Sequence, residues 1–303
     1  MRKFVSDRAV RLVVRCLANR YGVDVSKYKE DFLRRRIYAR MVALRVRNTW
    51  EYLRVLETRP EEMERLLDSM SINVSRFFRD PAIWDKVKEI VLLPMIKEKL
   101  KFHGMLRIWS AGCSCGEEPY TIAILVKEIL DALKARLLVR IYATDVDVDA
   151  LRRAELGIYP AYELVNVRKD LLLRYFYTTT SREYAIRNEI KRMVIFKVHD
   201  LLKEPPLDNM DVVFCRNVLI YFNKLAQAMV IRKFMRALRR GGYLVLGATE
   251  SLSSEFLDYF EVVDLRGRIY RLRGLPDHCS LLLSTLASLS SRSEGEPRSR
   301  LHH

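Results

Sequence analysis

The sequence predicts an α/β fold in which a small all-helical segment precedes a doubly wound, mostly parallel sheet. Two observations support this prediction. Residues 1–88 contain little glycine and show helical apolar spacing, and from residue 106 onward apolar strands alternate with helices. The predicted strands are 106–109, 141–144, 194–198, 212–215, 243–247, 260–263 and 269–272. Because the last two flank a turn at 266–268, the sheet is expected to end in an antiparallel hairpin.

The helical segment is strongly basic. Residues 1–60 hold 16 Lys or Arg against 6 Asp or Glu, in a chain whose net charge is +16. An apolar stripe over residues 32–44 predicts an amphipathic helix. The arginines predicted for its opposite side are Arg34, Arg35, Arg36 and Arg40. Such a face predicts an acidic partner, whether nucleic acid, an anionic membrane surface or an acidic protein helix; a solvated basic face is the alternative.

The composition is that of an ordinary globular protein, with the cytoplasm as its expected location. Half of the residues are hydrophobic, 30% are charged, and no run approaches the ~20 apolar residues of a membrane span. Charges interrupt the apolar residues of the N-terminus, unlike in a secretory signal. Five scattered cysteines predict free thiols and neither a disulfide framework nor a metal site. The serine-rich segment 276–303 is expected to be flexible.

A glycine-containing loop at residues 110–120 joins the first strand to an amphipathic helix. Gly112 and Gly116 let a ligand approach the backbone, and amide groups at the helix start favour polar ligands. Glu117 and Glu118 oppose a phosphate but suit hydroxyls and an ammonium group. The loop therefore predicts a ligand that joins a nucleoside to an amino acid, although similar turns also close strand–helix junctions for steric reasons alone.

Two aspartates lie at the ends of predicted strands. Asp145 ends the second strand, where its carboxylate can reach a ribose placed over the glycine loop; a solvated carboxylate or a helix N-cap is the alternative. Asp200 and Leu201 follow strand 194–198 and are predicted to flank an adenine, as an acceptor for its amino group and an apolar contact for its face. A turn aspartate without a ligand is the competing interpretation.

Three segments carry a resemblance to a known family: NVSRFFRD at 73–80, the loop at 110–120 and FCRNVLIYF at 214–222. In this order they look like the chemotaxis receptor methyltransferases called CheR, and the likeness runs from about residue 28 to residue 272. It implies the class I methyltransferase fold, Rossmann-like and seven-stranded, with a small antiparallel β-subdomain at about 174–197. It also implies methyl transfer from S-adenosylmethionine to receptor glutamates, with S-adenosylhomocysteine as product.

The resemblance implies roles for individual residues. Arg79 and Tyr221 would converge on the methyl-transfer site and orient the acceptor carboxylate. Taken alone, each has a simpler explanation: an ion pair of Arg79 with Asp80 or Asp85, and a half-buried aromatic. The residues implied for the cofactor are Asn73, Ser75 (threonine in most relatives), Arg79, Gly112, Glu117, Asp145, Asp200, Leu201, Arg216 and Asn217. The four arginines of the basic helix would meet glutamate-bearing receptor helices.

The expected organisation is a basic substrate-recognition domain at 1–88, a methyltransferase domain at 89–275 and the tail. A monomer is expected, with chemoreceptor cytoplasmic helices as partners and without nucleic acid, membrane insertion or metal. Two alternatives stay open. A nucleic-acid methyltransferase would share the fold, but residues 216–219 lack the Pro-Pro motif of base-modifying enzymes. An inactive, cofactor-sensing adaptor would keep the fold without turnover.

We expect that the β-subdomain does not dock a receptor's C-terminal pentapeptide. Relatives that bind such a tail tend to carry several glycines there, whereas this chain has none between Gly157 and Gly241. Calorimetric titration with a receptor tail peptide should therefore give no heat of binding, and a tight complex at this insertion would contradict the prediction.

Overall fold

Four helices form the N-terminal part of the protein in the computed structural model, which describes residues 5–70, 75–180 and 183–274. They are α1 (Asp7–Tyr21), α2 (Glu30–Ala43), α3 (Thr49–Thr58) and α4 (Pro60–Asp68). The Ser6 side chain caps α1, and Gly22, with φ of 66°, ends it in the left-handed conformation that glycine tolerates best. Residues 5–70 are called the helical domain below. Predictions for Asn73, Cys279 and the tail 276–303 fall outside the described residues.

A continuous helical stretch leads from the helical domain toward the sheet. It consists of α5 (Pro81–Lys86), a π-helical turn (Val87–Leu92) and α6 (Leu93–Lys101). The remaining helices are α7 (Glu117–Ala132), α8 (Val148–Leu156), α9 (Lys169–Tyr175), α10 (Asn188–Lys191) and α11 (Lys224–Ala237).

Within the described ranges, seven strands form one mixed sheet in the order β6-β2-β1-β7-β8-β10-β9. They are β1 (Met105–Ala111), β2 (Leu138–Asp145), β6 (Val194–Val198), β7 (Met210–Cys215), β8 (Leu238–Leu246), β9 (Phe260–Asp264) and β10 (Ile269–Leu272). The strands from β6 to β8 in this order pair in parallel, and β10 pairs antiparallel with both β8 and β9. The predicted α/β fold and its antiparallel end are confirmed.

Helices cover both faces of this sheet because successive strand residues point to opposite sides. Ile108 packs in one buried cluster together with Ile122 and Val126 of α7. Its neighbour Trp109 packs in the other cluster with Phe234 of α11. The described cysteines, Cys16, Cys113, Cys115 and Cys215, are free thiols. In the same ranges no helix is both long and apolar enough to span a bilayer.

A second, antiparallel sheet lies beside the first, with three strands in the described residues in the order β3-β5-β4. Its strands are β3 (Ile158–Pro160), β4 (Phe176–Thr180) and β5 (Glu183–Ile186). The resemblance implied a β-subdomain at about 174–197, but residues 194–198 belong to the main sheet, as predicted from their apolar run, because they pair in parallel with β2. Gly157, with φ of 63°, ends α8 and directs the chain into β3, and its carbonyl accepts a hydrogen bond from the Ile186 amide.

The basic face predicted for α2 is divided between the interior and the surface of the helical domain. Arg34 is buried and forms ion pairs with Asp7 of α1 and with Asp31. Arg40 reaches α4, where its Nε and Nη2 donate to the buried Glu62 carboxylate at 2.9 and 2.6 Å. Because α2 packs against both α1 and α4, these two arginines hold helices together. The prediction that Arg34 and Arg40 lie on the solvent-facing side was therefore wrong. Of the other two arginines, Arg35 is exposed and Arg36 is half-buried.

Replacing Arg40 by Met should destabilise the helical domain by about 3 kcal/mol, because Glu62 would stay buried without its charge partner. Glu62 is only 1% exposed, and its Oε1 otherwise accepts only the Tyr52 hydroxyl, at 3.1 Å, among the described residues. Urea unfolding followed by circular dichroism measures the change. The matched control is Arg35→Met on the same helix, which should change the free energy of unfolding by less than about 0.5 kcal/mol. Equal effects of the two substitutions would contradict the assignment.

Candidate active site

A cavity opens at the carboxyl ends of β1, β2, β6 and β7, the edge where parallel sheets of this type bind ligands. Residues 75–80 and the helical domain close it from the other side. Its wall contains these residues predicted from the sequence: Ser75, Arg79, Gly112, Asp145, Asp200, Leu201, Arg216, Asn217 and Tyr221. The fold therefore brings together residues that are as far as 146 positions apart in the chain.

The glycine loop packs closely against the loop after β7. A Cβ atom on Gly112, whose φ is 77°, would lie 2.4 Å from Cγ2 of Val218, so a side chain there would displace the loop after β7. The amides of Gly112 and Cys113 donate to the Thr144 carbonyl at 2.7 and 2.9 Å, and the Ser114 amide donates to Asp145. These three amides are thus engaged within the protein. The prediction that loop amides receive the ligand is wrong for them.

Asp145 supplies a half-buried acceptor at the end of β2. Its Oδ2 accepts the Ser114 amide at 2.8 Å, and its Oδ1 accepts the Asp147 amide at 3.0 Å. Burial raises the pKa of this carboxyl, although the backbone hydrogen bonds oppose the rise. Asp147, not Asp145, caps α8 by accepting the amides of Asp149 and Ala150. The N-cap alternative for Asp145 is thereby excluded, and its carboxylate faces the cavity.

Glu118 lies in the cavity wall, whereas Glu117 is only 1% exposed and does not line the cavity. Glu118 Oε1 accepts the Ser110 hydroxyl at 2.8 Å, and Oε2 lies 3.6 Å from Nη1 of Arg216. Burial raises the pKa of Glu117 to about 7, and its Oε2 has no hydrogen-bond partner among the described residues. Consecutive helical residues diverge by about 100°. The sequence identified the pair; Glu118 is the member that lines the cavity, and the role of Glu117 toward the cofactor stays a prediction.

Arg216 fixes the segment that carries Arg79. Its side chain is almost fully buried, and Nη2 donates to Asp80 Oδ2 at 2.9 Å and to the Arg79 carbonyl at 3.1 Å. The guanidinium also lies 5.0 Å from the centre of the Trp84 ring. Asp80 thus pairs with Arg216. Asp80 has φ of 59°, so this turn adopts a backbone conformation that its contacts must maintain.

Tyr221 lies where the sheet meets the helical domain. Its ring centre is 5.1 Å from that of Phe32 on α2. Burial is the main cause that raises the pKa of its phenol, while the charges of Arg79 and Arg36 oppose the rise. The hydroxyl therefore stays protonated at neutral pH and can donate a hydrogen bond. Arg79 and Tyr221, which were predicted to converge, both line the same cavity.

The junction between the helical domain and the sheet runs through the loop after β7. Tyr28 and Phe222 form an isolated antiparallel bridge, and the Lys29 amide donates to the Tyr221 carbonyl at 2.9 Å. Asn223 caps α11 through Oδ1, while its Nδ2 donates to the Ser26 carbonyl at 2.9 Å. The position of Tyr221 thus depends on both parts of the protein.

Sequence reasoning missed several polar residues of the wall, among them Tyr28 and His199. Burial, together with the charges of Asp200 and Asp145, raises the pKa of Tyr28 to about 12. His199 Nε2 lies 2.8 Å from the Pro205 carbonyl, which can only accept, so Nε2 carries the proton. Its buried Nδ1 is then an acceptor without a partner among the described residues. Neither residue belongs to a periodic pattern. The one signal in the sequence is that His199 directly precedes Asp200, which was predicted for the site.

The chemistry of the wall fits a cofactor that offers hydrogen-bond donors and a positive charge. Asp145 and Asp200 provide acceptors for hydroxyl and amino groups, and Glu118 provides one for an ammonium group. A nucleoside joined to an amino acid carries these groups, whereas a phosphate would meet carboxylates. Together with the sheet order, this cavity defines an S-adenosylmethionine-dependent methyltransferase.

Comparison with known proteins gives the family. The model of the CheR methyltransferase SAM binding domain matches residues 73–269, and that of the CheR methyltransferase all-alpha domain matches residues 8–71. The chain belongs to the CheR methyltransferase family. The predicted fold class, cofactor and methyltransferase activity are confirmed.

Individual relatives cover most of the chain. A chemotaxis protein methyltransferase of Borreliella burgdorferi is 33% identical over 252 residues, which are 81% of this chain and 88% of that protein. The chemotaxis protein methyltransferase of Salmonella typhimurium is 31% identical over 277 residues, 88% of this chain and 91% of that protein. An uncharacterised 104.1 kDa protein of Rhodobacter capsulatus is 35% identical over 263 residues; this chain spans only 27% of its length.

Asp145→Asn should weaken binding of S-adenosylhomocysteine roughly ten- to hundredfold. Asparagine keeps one acceptor oxygen, but its NH₂ group would face a backbone amide, and charged hydrogen bonds contribute about 1.5–3 kcal/mol. Isothermal titration calorimetry measures the dissociation constant. Asp149→Asn is the matched control, because its side chain is 89% exposed outside the cavity. Unchanged affinity in the Asp145 variant would remove Asp145 from the cofactor site.

Proposed function

We propose that this methyltransferase methylates glutamate side chains in the cytoplasmic helices of methyl-accepting chemoreceptors, giving glutamyl methyl esters for sensory adaptation. The observation that carries the proposal is the position of Arg79 and Tyr221 in the wall of the cofactor cavity, beside α2 of the helical domain. The names of the relatives, chemotaxis protein methyltransferases, support the same substrate class.

A glutamate acceptor needs orientation more than activation. Its side chain has a pKa of ~4.3, so it is ionised at neutral pH and needs no general base. S-adenosylmethionine, when bound, supplies an activated methyl group. The residues of this chain then have to place one carboxylate oxygen and exclude water, which is largely an entropic task.

Arg79 and Tyr221 suit that task as a pair. A guanidinium and a protonated phenol can each donate a hydrogen bond to a carboxylate without taking its negative charge away. The phenol of Tyr221 keeps its proton because burial raises its pKa. If the arginine held the carboxylate too tightly, it would stabilise the ionised ground state and slow transfer, so we assign it an orienting role.

The exposed part of α2 is the proposed docking surface for the receptor. Arg35 is exposed, and the guanidinium of the half-buried Arg36 lies 5.3 Å from the centre of the Phe32 ring, which in turn contacts Tyr221. Both cations are near enough to lower the pKa of Tyr221, against the larger effect of burial. Acidic receptor helices would thus be attracted directly to the opening beside the acceptor-orienting residues. Arg34 and Arg40 are withdrawn from this surface.

Each ester removes one negative charge from a receptor helix. Repulsion between neighbouring acidic side chains then falls, which shifts the balance between receptor conformations. We propose that the enzyme acts as a monomer in the cytoplasm and does not act on nucleic acid.

The proposal is tested by incubating the protein with a methyl-tritiated donor and a receptor cytoplasmic domain, followed by mild alkali. We expect incorporated label to leave as volatile methanol, since alkali hydrolyses carboxyl methyl esters. Alkali-stable label would contradict ester formation and would fit a methylated base or amine. Absence of label, with normal cofactor binding, would fit the cofactor-sensing adaptor.

The same assay tests the docking surface with Arg35→Glu. Charge reversal should raise KM for the receptor domain about tenfold while the dissociation constant of S-adenosylhomocysteine changes less than twofold. Arg45→Glu, a substitution at an exposed arginine beyond the end of α2, is the matched control. Equal effects at both positions would indicate attraction by net charge alone.

A further inference from the structure

Glu250 is a buried carboxylate that the proposed chemistry does not use. It follows β8 and is only 4% exposed. Its Oε2 accepts the amides of Gly247 at 2.6 Å and Asn217 at 2.9 Å, and its Oε1 accepts the Ile220 amide at 3.3 Å. One side chain thus receives three backbone donors from two loops.

Two of these donors belong to the active-site loop, defined here as residues 216–222 after β7. Asn217, at its start, lies in the cofactor cavity, and Tyr221 lies in the same cavity directly after Ile220. Residues 219–221 form a single 3-10 turn, and the Tyr221 amide donates to the Val218 carbonyl at 3.2 Å. The Glu250 carboxylate accepts the amides of residues 217 and 220. It therefore fixes the active-site loop at two points, one before the 3-10 turn and one within it.

The surroundings leave little freedom for another arrangement. Asn217 has φ of 62°, a conformation that needs support in a residue with a side chain. A Cβ atom on Gly247 would lie 2.6 Å from Glu250 Oε2 and 2.8 Å from the Asn217 nitrogen, so the two loops touch at this point. On the other side, Val218 packs against the space left by the missing side chain of Gly112.

We propose that Glu250 is a positioning residue that holds Asn217 and Tyr221 in one arrangement, so that cofactor binding and acceptor orientation depend on the same carboxylate. The acceptor half of this inference rests on the proposed function, whereas the cofactor half does not. Because the Glu250 carboxylate is buried, any other arrangement of the loop would leave it without its hydrogen-bond donors and would cost free energy.

Glu250→Gln tests the inference with almost no change in volume. Glutamine retains one acceptor oxygen, and its NH₂ group would face backbone amides, so at least one loop must move. We expect S-adenosylhomocysteine to bind about tenfold more weakly and kcat toward the receptor domain to fall at least tenfold. Calorimetry and methyl transfer are measured well below the unfolding temperature, so that only folded protein contributes.

Glu255→Gln is the matched control, because Glu255 is an exposed glutamate five residues further along whose partner is Arg232. It should leave both quantities within twofold of the unsubstituted protein. A purely stabilising role for Glu250 would lower the unfolding temperature of Glu250→Gln while leaving the affinity and kcat of the folded enzyme unchanged, and that result would overturn the proposal.

Hydrogen exchange of the unsubstituted protein keeps the inference testable if Glu250→Gln does not fold. The amides of Asn217, Ile220 and Gly247 should be protected without any ligand, because the carboxylate binds them directly. Exchange at the rate of an unstructured peptide would overturn the proposal. The calorimetric and exchange measurements need no methyl acceptor, so a failure of the receptor assignment alone would leave them unaffected.

Discussion

The buried guanidinium of Arg216 is the contact on which the arrangement of the active site depends. It joins the end of β7 to the turn that carries Arg79, through Asp80 and the Arg79 carbonyl, and it lies over the Trp84 ring. If this turn moved away from the sheet, the buried guanidinium of Arg216 would lose its partners, which is energetically costly for a charge removed from water. Arg216 thereby fixes the position of Arg79 relative to the sheet.

Carboxylates, rather than loop amides, determine which ligand this cavity accepts. In phosphate-binding loops free amides face the anion, but here the amides of Gly112, Cys113 and Ser114 are used inside the protein. The wall instead presents Asp145 and Glu118, which match hydroxyl and ammonium groups. A strand–helix turn like that of phosphate-binding loops therefore suits a cofactor without phosphate when its amides are hydrogen-bonded within the protein.

The helical domain forms part of the wall of the cofactor cavity. Tyr28 reaches the cavity wall, and the bridge between residues 28 and 222 places α2 next to Tyr221. The charges of Arg36 and Arg35 lower the pKa of the Tyr221 phenol, against the larger effect of burial. Attraction of an acidic helix and orientation of its carboxylate would thus take place at one junction, which shortens the path between encounter and transfer.

The sequence by itself determined the seven strands of the main sheet, the antiparallel end and the residues that follow each parallel strand, because apolar periodicity and position at a strand end are local properties. It could not decide between Glu117 and Glu118, since the direction of each side chain depends on how α7 rotates against the sheet. For the same reason it placed Arg34 and Arg40 on the surface, whereas packing of α2 against two helices buries Arg34 and leaves Arg40 half-buried. Tyr28, His199 and Glu250 became visible only in the tertiary structure, because folding brings each of them beside segments distant in the chain.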